Sequence, residues 1–310
     1  MKSQQQTSSE HFLWGIDLGG TKIEALITSR NAPEQALYRR RISTERNGGY
    51  EHVLHQILKL IIEMETLSGL KRPHKMGFGT PGVSDPTTGL VRNSNTLCFN
   101  GRTLQKDLST FLGVEALLAN DANCFALAEA TLGAARGKEV VMGLILGTGV
   151  GGGVVIHGHA IKGLQGIAGE WGHNTMRGEE SPCYCGKRGC NEQVFSGPAL
   201  ENFYEYQSGH TLPLRDIVVQ AASGNKPALK TLQRLQEKFA EAVAVPINIL
   251  DPDAIVIGGG VGNIELLYSE STRDKITQYI FNDELKTALL RPALGDSAGV
   301  FGAALLGKLS

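Results

Sequence analysis

The chain lacks a charge of one sign: 30 Lys and Arg against 31 Asp and Glu leave a formal net charge of -1 over 310 residues. Such a balance gives no electrostatic reason to expect nucleic acid or an anionic membrane as partner. Any anion that binds must be held by local geometry. Long apolar runs are missing as well. No stretch approaches the roughly 20 residues that a spanning helix needs. Residues Met1 to Glu10 are polar and have no apolar core of the kind a signal peptide carries. These absences predict a cytoplasmic protein, a compartment where disulfides are uncommon. A Walker-type phosphate loop is absent from the whole sequence.

Glycine, by contrast, is abundant, with 39 residues clustered in short loops that follow β-branched runs. Loops of this kind bring backbone N–H groups close to phosphate. Hydrophobic residues at 41% and charged residues at 20% describe a packed globular protein. The length suits two domains.

The hydrophobic pattern predicts strands at Phe12 to Asp17 and Ile23 to Thr28, joined by a Gly19-Gly20 turn. A helix is predicted over Tyr50 to Ser68, with Leu54, Ile57, Leu58, Ile61 and Met64 on one face and Gly69 as stop. Further strands are predicted at Lys75 to Gly79 and Val114 to Ala119, and a helix from Ala122 to about Arg136. At Val140 the opening pattern returns: strand, Gly147-Thr148-Gly149 turn, strand. This repetition predicts an internal duplication and two similar α/β lobes with a cleft between them. Leu229 to Leu250 has the pattern of a long helix, but an interior proline costs about 3 kcal/mol. Pro246 therefore predicts a kink or an early stop. Ala254 to Ile257 is a predicted strand leading into Gly258-Gly259-Gly260, and Ala298 to Leu306 a final helix.

In Asp17-Leu18-Gly19-Gly20-Thr21-Lys22, a strand-end carboxylate beside a glycine turn is able to orient Mg²⁺ through water, while Thr21 and the glycine N–H groups meet phosphate. An ordinary hairpin turn is the plainer alternative. Gly147, Gly149 and Gly152 match the dinucleotide fingerprint by letter, but that fingerprint requires a following helix. Val154 to Ile156 continues instead as a strand, so a second phosphate hairpin fits better. Asn120-Asp121 ends one strand and starts a helix. Spacing alone does not choose between a helix cap at Asp121 and a general base taking the proton of an attacking hydroxyl.

The most specific local pattern is Gly169-Glu170-Trp171-Gly172-His173 followed by Cys183, Cys185 and Cys190. Three cysteines and a histidine make a complete tetrahedral zinc set. Four protein ligands leave no open position, which predicts a structural and not a catalytic metal. Cys98 and Cys124 fall outside the set. Glu170, His173 and Glu192 gather around the same loop, and carboxylates accept directed hydrogen bonds from hydroxyl-rich ligands.

Taken together, these motifs resemble the ROK family (repressor, open reading frame, kinase), in the right order from about Phe12 to Leu306. Arg92-Asn93-Ser94-Asn95, Pro182-Cys183-Tyr184-Cys185-Gly186-Lys187 and Gly295-Asp296-Ser297-Ala298-Gly299-Val300 resemble its bacterial fructokinase branch. Val141 to Gly153 resembles its N-acetylglucosamine kinase branch. The resemblance implies an actin-like ATPase (ribonuclease H-like) α/β fold. Its expected organisation is a disordered tail at 1–11, a small lobe at 12–120 completed by 297–310, and a large lobe at 121–296 with a zinc knuckle at 173–190. It implies ATP-dependent phosphorylation of a hexose at the 6-hydroxyl, with fructose first and glucose or N-acetylglucosamine as alternatives. A sugar-responsive transcriptional regulator or a non-catalytic sugar-binding protein is the more distant alternative.

By the same resemblance Asp121 is the base. Gly79, Thr80, Pro81, Gly82, Asn95, Asn120, Glu170, His173 and Glu192 line the sugar pocket. Asp17, Gly19, Gly20, Thr21 and Lys22 face the phosphates, as do Gly147, Thr148 and Gly149, while Gly258, Gly259 and Gly260 flank the adenosine. His173, Cys183, Cys185 and Cys190 hold zinc. A homodimer is implied. Pro246 departs from the family, whose helix normally has no proline there.

Overall fold

The computed structural model describes residues 9–309. Residues 1–8 of the expected tail lie outside the described residues, and Ser9–His11 form one 3-10 turn leading into the first strand. The chain folds as two compact units. The first takes the described residues up to Leu132, with His159–Ala168 and Leu294 onward. The second takes Gly133–Gly158 and Gly169–Ala293. The first boundary thus falls at Leu132 and not at Asn120, so the helix that begins at Asp121 belongs with the strand that precedes it.

The first unit is built on a sheet of β1 (Phe12–Leu18), β2 (Lys22–Ser29), β3 (Ala36–Ser43), β4 (Lys75–Thr80) and β7 (Glu115–Asn120), in the order β3-β2-β1-β4-β7. β1 and β2 form an antiparallel hairpin, whereas β4 and β7 run parallel to β1. Between β4 and β7 lies a two-stranded ribbon of β5 (Val83–Ser84) and β6 (Val91–Arg92). Helix α1 (Tyr50–Ser68) buries Val53, Leu54, Ile57, Leu60, Ile61 and Met64, a repeat of three and four residues that places one face inward. It ends at Gly69, whose φ of +70° suits the left-handed cap and whose N–H returns to Glu65 O. α2 (Leu104–Leu112) buries Leu104, Leu108 and Leu112, four residues apart. These faces and the sheet share one core around Trp14, Ile16, Phe78 and Phe99.

α3 (Asp121–Thr131) and α10 (Ala298–Leu309) pack on each other, and α10 lies across β1 and β4. That close approach requires Gly15 and Gly77. A Cβ on either would overlap the α10 backbone, at Val300 and Ala303 respectively. α3 stops at Thr131, about five residues before the expected end, and the stretch to Gly137 forms turns. The short strand β10 (His159–Ala160) stands in the 159–168 segment of this unit.

The second unit repeats the plan. β8 (Val140–Leu146) and β9 (Val150–Ile156) form an antiparallel hairpin, β11 (Ala254–Gly258) runs parallel to β8, and β12 (Ala288–Leu290) runs parallel to β11. No helix follows the glycine turn, because β9 starts at Val150. The helices are α4 (Glu192–Phe195), α5 (Gly197–Ser208), α6 (Leu214–Ala222), α7 (Lys226–Leu250), α8 (Gly259–Gly262) and α9 (Glu270–Thr277). Leu144, Phe195, Phe239, Val243 and Ile257 are central to the second core. Among the described residues no helix is long and apolar enough to cross a membrane.

Helix α7 does not stop at Pro246; it continues to Leu250. Proline has no N–H to give the carbonyl four residues back, which here is Ala242. That carbonyl accepts the indole N–H of Trp171 at 3.2 Å instead. The side chain of another segment thus satisfies the acceptor that proline leaves without its usual partner, and the helix stays intact.

Candidate active site and metal centre

In the first unit, strand register brings the candidate residues to the same end of the sheet. Asp17 on β1 pairs with Gly79 on β4, and Thr80 on β4 pairs with Asn120 on β7. Asn120 is the N-cap of α3: its Oδ1 accepts the N–H of Ala122 at 2.9 Å, and its Nδ2 donates to Gly82 O at 3.1 Å. The loop Gly79-Thr80-Pro81-Gly82 is thereby tied to Asn120. With the cap filled by Asn120, Asp121 stands one position inside the helix. One of its oxygens accepts the same Ala122 N–H at 2.8 Å. Burial pushes the Asp121 carboxyl above its usual range, against the lowering effect of that bond.

Asp17 occupies a slot with glycine walls. A Cβ on Gly79 would come within 3.4 Å of its Oδ1, and one on Gly299, near the start of α10, within 3.4 Å of its Oδ2. Its carboxyl is pushed up from 3.8 to about 7, first by burial and then by the charges of Asp121 and Glu24. Two half-buried carboxylates, one near the end of β1 and one just past the end of β7, with the charge of Asp121 raising the proton affinity of Asp17, call for a cation or a proton. Glu24 itself is buried and bonded to Arg39 and Arg41. Gly19, Gly20, Thr21 and Lys22 form the β1–β2 turn and the start of β2. Asn95 is exposed on the loop after β6, which the paired bonds between Ser94 and the Asn100 side chain hold closed. A cavity of about 300 Å³ opens within this unit against Thr80, Val83, Asn120, Asn123, Lys162 and Gly166. The Oδ1 of Asn123 is buried there without a partner.

In the second unit, Gly147-Thr148-Gly149 forms the β8–β9 turn, closed by the Gly147 N–H to Gly149 O at 2.9 Å. Gly259, with a φ of +81°, stands directly against Leu146, where any Cβ would overlap the carbonyl. Gly258, Gly259 and Gly260 are therefore side by side with the glycine turn. Glu192 joins this group. Its Oε2 accepts the N–H of Val150 at 3.0 Å, and Gly149 leaves room for it. The structure thus gives Glu192 a bond to the phosphate-type hairpin that the sequence did not foreshadow.

Trp171 anchors the Glu170–His173 segment. It stacks on Phe195 at 5.3 Å between ring centroids, and its carbonyl accepts from Asn191 Nδ2 at 2.9 Å. His173, Cys183, Cys185 and Cys190 converge so that their ligand atoms all lie within 4.8 Å of one another. Cys185 Sγ and Cys190 Sγ are 3.5 Å apart, and Cys183 Sγ is 3.7 Å from His173 Nδ1. These separations match the edges of a tetrahedron with bonds of roughly 2.0–2.3 Å. The protein alone opposes thiolate formation at Cys190, whereas at Cys185 burial is outweighed by the Lys187 N–H and the neighbouring cysteines, which lower that thiol. Burial, and then hydrogen bonding with Cys185 and Cys183, push the Cys190 thiol up to about 12. A bound divalent cation would reverse that cost, and the donor set fits one.

Tyr184 is a residue that motif reading passed over. Its hydroxyl meets His173 Nε2 at 3.1 Å, so the nitrogen that does not face the cysteines is already engaged. Burial and then the charges of Glu192 and Glu170 push its phenol well up, which keeps it a neutral hydroxyl among the acidic groups of this unit. Its place between two cysteine ligands was the signal that could have found it.

The family model described as the ROK family matches residues 13–309. An N-acetyl-D-glucosamine kinase from Yersinia pseudotuberculosis (serotype O:1b, strain IP 31758) is 35% identical over 303 residues, covering 94% of this chain and 98% of that protein. The crystal structure of a ROK hexokinase from Thermus thermophilus superposes with a TM-score of 0.83 at 31% identity, covering 96% of this chain and 98% of that one. A ROK family glucokinase from Streptomyces griseus, crystallised with glucose and AMPPNP, gives 0.79 at 25% identity, covering 96% of this chain and 100% of that one.

Proposed function

Because the chain belongs to the ROK family, we propose that this sugar kinase transfers the γ-phosphoryl group of ATP to the 6-hydroxyl of N-acetyl-D-glucosamine. The carrying observation is the pair of half-buried carboxylates Asp17 and Asp121 at the same end of the sheet, on either side of β4, near a cavity of about 300 Å³ lined by Asn120 and Asn123. The choice of sugar rests on the curated relatives, which are named N-acetyl-D-glucosamine kinase and align over nearly the full chain. The resemblance of Arg92–Asn95, Pro182–Lys187 and Gly295–Val300 to the fructokinase branch carries a second reading, with fructose as acceptor.

Asp121 is the general base. Its raised proton affinity suits it to take the proton of the attacking hydroxyl. As that proton moves to the carboxylate, the sugar O6–P bond forms and the P–O bond to ADP breaks. Asn120 fixes the base by capping α3 and holding Gly82. Asp17, in its glycine slot, is the residue to orient Mg²⁺, which supplies charge neutralisation for the phosphates when bound. The β1–β2 and β8–β9 turns offer backbone N–H groups to phosphate oxygens. Glu170 and Glu192 supply acceptors for sugar hydroxyls, whereas His173, whose Nε2 already meets Tyr184, serves the metal and not the sugar. His173, Cys183, Cys185 and Cys190 hold a structural zinc that fixes the loop carrying His173.

The test is an ADP-release assay with Mg-ATP and N-acetylglucosamine, fructose, glucose and mannose in parallel. The highest kcat/KM on N-acetylglucosamine supports the proposal. A preference for fructose keeps the mechanism and moves the protein to the second reading. No turnover on any hexose, with zinc bound and the protein folded, overturns the kinase assignment.

A further inference from the structure

We propose that Arg46 and Thr96, which no motif marks, complete the phosphoryl-binding turn of the first unit and hold the group being transferred. The inference rests on the phosphate role given above to Gly19, Gly20 and Thr21. The segment after β3 is bonded to that turn at two points. Thr44 donates its N–H to Thr21 O at 3.0 Å and its hydroxyl to Gly19 O at 2.7 Å. The next residue, Glu45, has a φ of +51°, a left-handed conformation that non-glycine residues seldom adopt. Its carboxylate is taken by His52 Nε2 at 2.8 Å. The chain is thereby turned back so that Arg46 stands over the glycine turn.

The point of convergence is Gly20. A Cβ there would lie 3.2 Å from Arg46 Nη1 and 3.6 Å from Thr96 Oγ1. Glycine leaves that space open to another occupant. The two groups that reach it both lack partners. Arg39 and Arg41 on the neighbouring strand share the carboxylate of Glu24, but Arg46 has no carboxylate beside it among the described residues, since Glu45 is paired with His52. Thr96 is fully buried, and its hydroxyl has no hydrogen-bond partner. Buried hydroxyls are nearly always satisfied, so an unpaired one next to an uncompensated guanidinium marks a place for acceptor oxygens carrying negative charge.

A phosphoryl group meets that description and a sugar hydroxyl does not. The guanidinium offers directed donors to two oxygens of one tetrahedral anion, and the threonine hydroxyl offers a third. During transfer, charge spreads over the three equatorial oxygens of the phosphoryl group. Donors already in place for those oxygens stabilise the transition state without reorganisation. Arg46 neither gains nor loses a proton in the step. The proton goes from the sugar hydroxyl to Asp121, and Arg46 acts through charge and hydrogen bonds alone.

The test compares nucleotides that differ by the group in question. Titration calorimetry of the zinc-loaded protein with Mg-ATP and Mg-ADP is run on wild type, Arg46→Ala, Arg46→Lys and Thr96→Val. Loss of a hydrogen bond to a charged group corresponds to about 10-fold to 100-fold in affinity. Arg46→Ala should weaken ATP by that factor and leave ADP and free-sugar binding close to wild type. Arg46→Lys, a point charge without the fork, should recover part of the loss, and Thr96→Val should lose ATP affinity in the same selective way. An unchanged ratio of ATP to ADP affinity in Arg46→Ala overturns the proposal while leaving the kinase reading intact. A wild type that binds neither nucleotide removes the phosphate reading and this proposal with it.

Discussion

Replacing Asp17 by Asn separates what this carboxylate costs the fold from what it does for the reaction. Burial, followed by the charges of Asp121 and Glu24, raises its carboxyl from 3.8 to about 7. A folded value above the unfolded one means that this group's contribution to stability is complete below pH 3.8 and is lost as the pH rises through 7. Across that span ionisation stabilises the unfolded chain first. The cost to the folded protein is about 2 kcal/mol at pH 5 and about 4 kcal/mol at pH 8. Asparagine has nearly the same shape and does not ionise. Asp17→Asn should therefore be more stable than wild type, and the gain should grow by about 2–3 kcal/mol between pH 5 and pH 8. Urea unfolding of both proteins at the two pH values, without Mg²⁺, measures it. A difference that stays constant with pH refutes the buried-carboxylate argument. Turnover of the variant should fall at both pH values if Asp17 orients the metal. A stabilised but inactive protein is the expected pattern for a group kept for function.

Three further perturbations follow from close contacts. Gly259→Ala places a Cβ on the Leu146 carbonyl at a φ of +81°, and should cost about 1–3 kcal/mol or more in urea unfolding; a neutral effect would contradict the packing described for the second glycine group. Trp171→Phe removes the indole donor from Ala242 O and should cost about 1 kcal/mol, whereas the same change made on a Pro246→Ala background should cost less, because the helix N–H then satisfies that carbonyl. Cys190→Ser should abolish the one zinc per chain expected by metal analysis and lower the unfolding midpoint; a full zinc content in the variant would refute the ligand set.

Much of the frame was legible because it is written in local chemistry. The two hairpins could be read from β-branched runs broken by Gly19-Gly20 and Gly147-Thr148-Gly149, and α1 from its apolar face. The ligand set followed from donor type and spacing, and the four donor atoms do converge. Other parts depend on distant partners. β3 went unread because Arg39, Arg40 and Arg41 look like a solvated loop, and it becomes a strand by pairing with β2 and burying Glu24 between two guanidinium groups. The continuation of α7 through Pro246 depends on Trp171, 75 positions earlier in the chain. Whether Asp121 is a helix cap or a base was undecided by spacing, and the Asn120 bond to Ala122 N–H gives the cap to Asn120 instead. Glu192 on Val150, Tyr184 on His173 and Arg46 over Gly20 are meetings of segments that no linear pattern encodes.

The central claim, that Asp121 acts as base on a sugar hydroxyl, is tested most directly by Asp121→Asn. Calorimetric sugar binding and steady-state ADP release are measured on the same preparation as wild type. Sugar affinity close to wild type with turnover lower by at least about 10²-fold is the predicted result. Turnover within a few-fold of wild type would contradict the account, because no other group has been assigned to receive the proton.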